Sequence, residues 1–182
     1  MGSDVPEAPC LKSSGEGKTP VREESARDLF GVPEHPTAIV FLDVDGVLHS
    51  VEAHPEAFLG HQQLLLLKRI LEATGARIVL STTWRRDPAH LQQVLDALDG
   101  VGIERPIGAT PDLWRAGRAS EISAWLAANA SLVAGQWVSL DDLPLEEELP
   151  SQHVVTLDGL LGLTAEKVSE AIAKLSARES NS

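Results

Sequence analysis

Cysteine is almost missing: Cys10 is the only one among 182 residues. A single thiol excludes an intrachain disulfide and any cysteine-built metal cage, and it is compatible with a reducing compartment. Basic residues are scarce too. Fifteen Lys and Arg face 27 Asp and Glu, a formal net charge of −12, which argues against a surface that attracts nucleic acid over its whole area. A local basic patch stays open, with Arg85, Arg86, Arg115 and Arg118 as its mid-chain candidates. No stretch is long and apolar enough to cross a bilayer. The opening Met1-Gly2-Ser3-Asp4-Val5-Pro6 has neither the basic nor the apolar region of a signal peptide. Pro6 stands where a myristoylation motif needs Ser or Thr, and Glu7, Glu16, Glu23 and Glu24 oppose a transit peptide. The expectation is a cytoplasmic chain with no membrane contact.

The length fits one domain with room for a tail, and such a chain buries a full core without staples. Residues 1–36 are rich in Pro, Ser, Gly, Glu and Lys, the composition of a disordered tail. Within it, a short helix over residues 23–30 would end at Gly31 and Pro33. The globular unit is expected over residues 37–177, with residues 178–182 fraying.

Along that unit apolar strands alternate with amphipathic helices. Strands are predicted over residues 38–42, 77–81, 101–107, 136–140 and 154–157. Helices are predicted over 63–71 with Gly75 as its stop, from Pro88 through Leu98, over 118–128, and over 164–177. This alternation implies an α/β fold, a right-handed parallel sheet with helices on both faces.

Three predicted strands end on polar groups. The apolar run Ala38-Ile39-Val40-Phe41-Leu42 ends on Asp43-Val44-Asp45-Gly46, the second strand on Ser81-Thr82-Thr83, the fourth on Asp141-Asp142. Ending a buried strand on two carboxylates is costly unless a cation or a reaction needs them. In a parallel sheet the carboxyl ends share one edge, where ligands bind, so these groups can converge. Two carboxylate pairs, a hydroxyl cluster and loop arginines suit Mg²⁺ and a phosphate whose charge the metal and an arginine offset.

The order Asp-x-Asp-Gly-Val, strand-Ser/Thr, a basic residue opening a helix, and Asp-Asp resembles the haloacid dehalogenase-like (HAD) hydrolase superfamily over about residues 37–177. Leu80-Ser81-Thr82-Thr83-Trp84-Arg85, Thr110-Pro111, the run from Arg118 through Glu121-Ile122 to Trp125-Leu126, and Gly162-Leu163-Thr164 resemble more narrowly the HAD domain of Swiss Army Knife RNA repair proteins. The resemblance implies a HAD-like Rossmannoid sheet. It implies Asp43 as a nucleophile that forms an aspartyl-phosphate. Asp45 would protonate the leaving oxygen and then help activate water. Asp43, the Asp45 backbone carbonyl and Asp141 would hold Mg²⁺, with Asp142 acting through water or orienting the shell. Ser81 would bind a phosphate oxygen, with Thr82 beside it. The superfamily's usual third-motif lysine is missing, since no lysine lies between Ser81 and Asp141. Arg118 stands in its place, with Arg115 as the competitor.

Arg85 reads either as a clamp on a substrate phosphate or as the flank of a helix start. Trp84 is expected to pack its loop rather than stack on a base. Trp125 and Trp137 read as core, and His49, His54 and His61 lack metal spacing. Only 26 residues (55–80) separate the turn after the first motif from the end of the second strand. Core elements fill them, so the protein is expected to be capless. An open site suits a phosphate on a macromolecule, such as a polynucleotide end or a phosphoprotein, and admits a small nucleotide if another subunit closes it; the resemblance implies a nucleic-acid end or a nucleotide. The functional expectation is a Mg²⁺-dependent phosphohydrolase, with a catalytically inactive phosphate-binding or scaffold module as the alternative. Phosphoryl transfer to an acceptor other than water is a third possibility, against which the absence of a cap speaks.

Overall fold

The computed structural model describes residues 30–177 apart from Val32, Glu34 and Trp114. The expected tail over 1–29, Cys10, the 23–30 helix up to its last residue, and the fraying end at 178–182 lie outside the described residues. Five strands, β1 (Thr37–Leu42), β2 (Arg77–Leu80), β3 (Gly108–Ala109), β4 (Val133–Asp141) and β5 (Val154–Thr156), form one sheet. Its order is β3-β2-β1-β4-β5 and every pairing is parallel. Three helices connect strands, α1 (His61–Thr74), α2 (Pro88–Gly100) and α3 (Arg118–Ala128), and a fourth, α4 (Ala165–Ser176), follows β5. No helix among the described residues is long and apolar enough to cross a membrane.

β1 is central because it is apolar on both faces, and Ile39, Val40, Phe41 and Leu42 are all fully buried. The two-residue period of a strand sorts them. Val40 and Leu42 join Leu64, Leu67 and Ile70 of α1, Val94 and Leu98 of α2, and Val168 and Leu175 of α4. Ile39 and Phe41 face the other way, onto Ala119, Ile122 and Trp125 of α3 and onto Leu145 and Leu149. Phe41 makes edge contacts with Trp125 at 5.4 Å and Trp137 at 5.7 Å between ring centroids. Ahead of β1, Phe30 packs against the first core cluster and Gly31 N–H donates to Pro106 O at 2.9 Å.

The helix ends follow local chemistry. Asp87 accepts the N–H groups of Ala89 and His90, each at 2.9 Å, and Pro88 opens α2 without wasting a donor. Gly75, at φ 66°, closes α1 with its N–H on Leu71 O. Thr164 caps α4 through Lys167 N.

The expected third strand over 101–107 is not formed. β3 is the two-residue edge at 108–109, and Gly102 turns the chain at φ 71°. Pro106 has no N–H to give a ladder, while Ile103 is buried against the core from a loop. Apolar content there served packing, not pairing. β4 begins earlier than expected, at Val133, across an irregular register opposite Thr37 and Ile39 that Gly135 accommodates at φ 85°. Among the described residues, the segments between β1 and β2 and between β2 and α3 hold core elements and turns, with no inserted domain.

Candidate active site

The register sets the site. Leu42 pairs with Leu80 on one side and Leu140 on the other. The next residues, Asp43, Ser81 and Asp141, therefore emerge level at the carboxyl edge of the sheet. Backbone bonds hold that level: Ser81 N–H to Leu42 O at 2.9 Å and Asp43 N–H to Leu140 O at 3.1 Å.

Asp43 is buried, and its Oδ1 accepts the Val44 N–H at 2.8 Å. Asp141 is fully buried, with Oδ1 accepting the Leu143 N–H at 3.0 Å. Asp142, half-buried beside them, completes a cluster in which one carboxylate oxygen from each of Asp43, Asp141 and Asp142 lies within 4.8 Å of the others. Gly46 lets this happen. Its φ is 69°, and a Cβ there would meet the Asp142 side chain at 2.8 Å.

One cation enters the cluster. Arg118, in the first turn of α3, puts Nη1 3.0 Å from Asp43 Oδ2 and hydrogen-bonds Asp141 Oδ2. Its side chain is almost wholly buried. Burial works against the charged guanidinium, but Asp43 and Asp141 outweigh it and its pKa is raised. Arg115 is exposed three residues earlier. Asp141 is pushed up to about 7, first by burial and then by the charge of Asp43, against the pull of Arg118. Asp142 is raised for the same first two reasons. Carboxylates this crowded favour a divalent cation, and their hard oxygens match one.

Asp45 turns elsewhere. Its Oδ1 lies 3.1 Å from His49 Nε2, and its Oδ2 accepts the Trp84 indole N–H at 3.0 Å. The His49 contact is the first cause of its lowered pKa, opposed by burial and aided by Trp84. Ser81 is fully buried, and its Oγ has no hydrogen-bond partner among the described residues. Such a hydroxyl in a site is costly unless something binds there. Thr82 is also fully buried, but its Oγ1 accepts the Trp84 backbone N–H at 3.3 Å.

A family model described as the HAD domain in Swiss Army Knife RNA repair proteins matches residues 39–168. The chain belongs to this family. The α/β sheet with its acidic strand ends is thus the HAD core, and the cluster of Asp43, Asp141 and Asp142 could bind a metal ion in the HAD manner. No curated protein matches the chain, and no solved structure does.

Two features of this HAD site went unread in the sequence. The first is the pair of rings on Asp45: three histidines, His49, His54 and His61, follow the first motif, but nothing in their spacing singles out His49. The second is the partner of Arg85. Arg85 Nη2 lies 2.7 Å from Glu121 Oε2, with both side chains nearly inaccessible. Its remaining donors reach Thr110 O at 3.0 Å, Ser81 O at 3.2 Å, Pro111 O at 3.2 Å and Thr82 O. All of its hydrogen-bonding capacity is turned inward. It ties the second motif, the Thr110-Pro111 loop and α3 into one frame, and α3 carries Arg118. The signal was available: Glu121 falls three residues after Arg118, on the turn that α3 buries.

Proposed function

We propose that this domain is a Mg²⁺-dependent phosphohydrolase that works through an aspartyl-phosphate on Asp43. The observation that carries the reading is the convergence of three carboxylates, two of them buried, around one guanidinium at the sheet's carboxyl edge. Asp43, the Asp45 backbone carbonyl and Asp141 would hold Mg²⁺, with Asp142 acting through water. The ion would neutralise charge in an acidic site that otherwise repels phosphate.

The Asp43 carboxylate attacks phosphorus while the bond to the leaving oxygen breaks. That oxygen leaves with its electron pair and takes the proton of the Asp45 carboxyl. The Asp45 carboxylate then takes a proton from the water that attacks the aspartyl-phosphate. The bond from phosphorus to the Asp43 oxygen breaks, releasing orthophosphate and restoring Asp43. Ser81, whose hydroxyl has no other partner among the described residues, donates to a phosphate oxygen, and Thr82 lies next to it. Arg118 stands where the superfamily's lysine would be and offsets the phosphate charge. Arg85 acts on this site by holding its frame and not by reaching substrate.

The unit that does this is residues 37–177, and the substrate is a phosphorylated nucleic-acid end or nucleotide. Two observations support that class. The matched family is the HAD domain of RNA repair proteins, and the described residues insert no domain over the site, so a bulky phosphate carrier has access.

The test is phosphate release in Mg²⁺ from 3′- and 5′-phosphorylated oligonucleotides, nucleotides, phosphopeptides and para-nitrophenyl phosphate. Release that EDTA and Asp43→Asn both abolish, greatest with the nucleic-acid substrates, is the expected result. Phosphate binding without turnover by folded, metal-loaded protein would instead establish a scaffold module.

A further inference from the structure

Both oxygens of the Asp45 carboxylate are held by ring N–H groups from different segments. Oδ1 is 3.1 Å from His49 Nε2, in the turn after β1. Oδ2 is 3.0 Å from Trp84 Nε1, in the 3₁₀ turn after β2. Leu59 N–H approaches His49 Nδ1 at 3.4 Å, which makes Nδ1 the acceptor and puts the ring proton on Nε2, facing Asp45. An indole nitrogen only donates, so this side of the clasp has one polarity.

The rings are fixed in turn. His49 is 4% exposed and Trp84 7% exposed. His49 stacks on Phe58 with centroids 4.5 Å apart, and Phe58 meets Trp84 edge-on at 5.4 Å. His90 covers Trp84 at 4.8 Å. Asp45 itself is half-exposed at the side chain, where an aspartate's terminal torsion is otherwise broad. Two rigid rings therefore set the plane of a carboxyl that solvent would leave free to turn.

We propose that His49 and Trp84 are positioning residues that aim the Asp45 carboxyl at the leaving oxygen: each carboxyl oxygen accepts one ring N–H and keeps a second lone pair, on which the proton sits when the leaving oxygen needs it. This rests on the phosphohydrolase reading above. Neither ring touches substrate in this role. A general acid contributes about 10²–10⁴-fold, and only within hydrogen-bond reach of the atom it protonates. A misplacement of about 1 Å costs on the order of 10²-fold. The loss should fall where the proton is needed most. An alkoxide leaving group, as in a nucleoside or glycerol phosphate, depends on Asp45, whereas the para-nitrophenolate leaves with little help.

The test is the ratio of kcat/KM on a nucleoside monophosphate to that on para-nitrophenyl phosphate, in Mg²⁺, for the full chain. His49→Phe and Trp84→Phe keep a ring and remove the N–H. Each is expected to lower the ratio by roughly 10-fold or more, while inhibition by orthophosphate stays near wild type. His49→Gln, which restores an N–H, is expected to recover part of the ratio. Equal losses on both substrates, or none, would overturn the proposal. If the wild-type chain releases no phosphate from any substrate, the phosphohydrolase reading fails and the role of aiming Asp45 at a leaving oxygen falls with it. The clasp is then read separately by hydrogen exchange at the Trp84 indole N–H. Protection that Asp45→Ala removes would retain the clasp as a structural element, and an unprotected N–H would refute that too.

Discussion

Replacing Arg85 by alanine separates two readings of that residue: a clamp on substrate phosphate, or the bolt of the site's frame. The structure commits its guanidinium to Glu121 and to four backbone carbonyls. Removing one partner of a buried ion pair costs about 3–5 kcal/mol, because the other charge is left in a poor solvent. Glu121 would keep the Leu113 N–H at 3.0 Å and Arg86 Nη2 at 3.6 Å. We therefore place the loss for Arg85→Ala at the lower end, about 3 kcal/mol. A domain of this size moves about 2–4 °C per kcal/mol, so the melting temperature should fall by about 6–12 °C. Arg85→Met combined with Glu121→Leu should be less destabilised than Arg85→Met alone, since no buried charge is orphaned. The assay is urea denaturation and calorimetry of the four proteins, with KM measured on the best substrate. A rise in KM with stability changed by no more than the roughly 0.5 kcal/mol of a surface substitution would refute the bolt and restore the clamp.

Metal binding should depend on pH through Asp141. Its pKa is raised from 3.8 to about 7, so the native state holds that proton more tightly than the unfolded chain. The associated stability is present below pH 3.8 and lost as pH rises to about 7. A divalent ion binds the ionised form. The rise in melting temperature caused by Mg²⁺ should therefore grow from pH 5 to 8, and an equal rise at both ends would contradict it. Gly46→Ala should cost about 1–2 kcal/mol through strain at positive φ. It should also weaken Mg²⁺ binding measured by calorimetry, because the new Cβ collides with Asp142. Unchanged affinity would show that Asp142 is not part of the metal site.

How much was legible depends on the range of the interaction. The apolar run of β1, the stop of α1 at Gly75 and the opening of α2 at Pro88 are local signals, and the elements stand where those signals put them. The third strand misled because Val101, Ile103 and Ile107 are apolar for packing, and apolar content does not separate a strand from a buried loop. Arg118 and Arg115 are equally basic and three residues apart. Only the start of α3 at Arg118, with Arg115 exposed ahead of it, puts one guanidinium on Asp43 and leaves the other outside.

The order of motifs along the chain determined the family and the edge of the sheet where the carboxylates gather, because parallel strands share a carboxyl end. The tertiary structure alone decided that Leu42, Leu80 and Leu140 lie in register, that Arg85 spends its charge on Glu121, and that Trp84 reaches Asp45 across 39 residues. Those contacts depend on how distant segments pack, and packing leaves no periodic mark in the sequence.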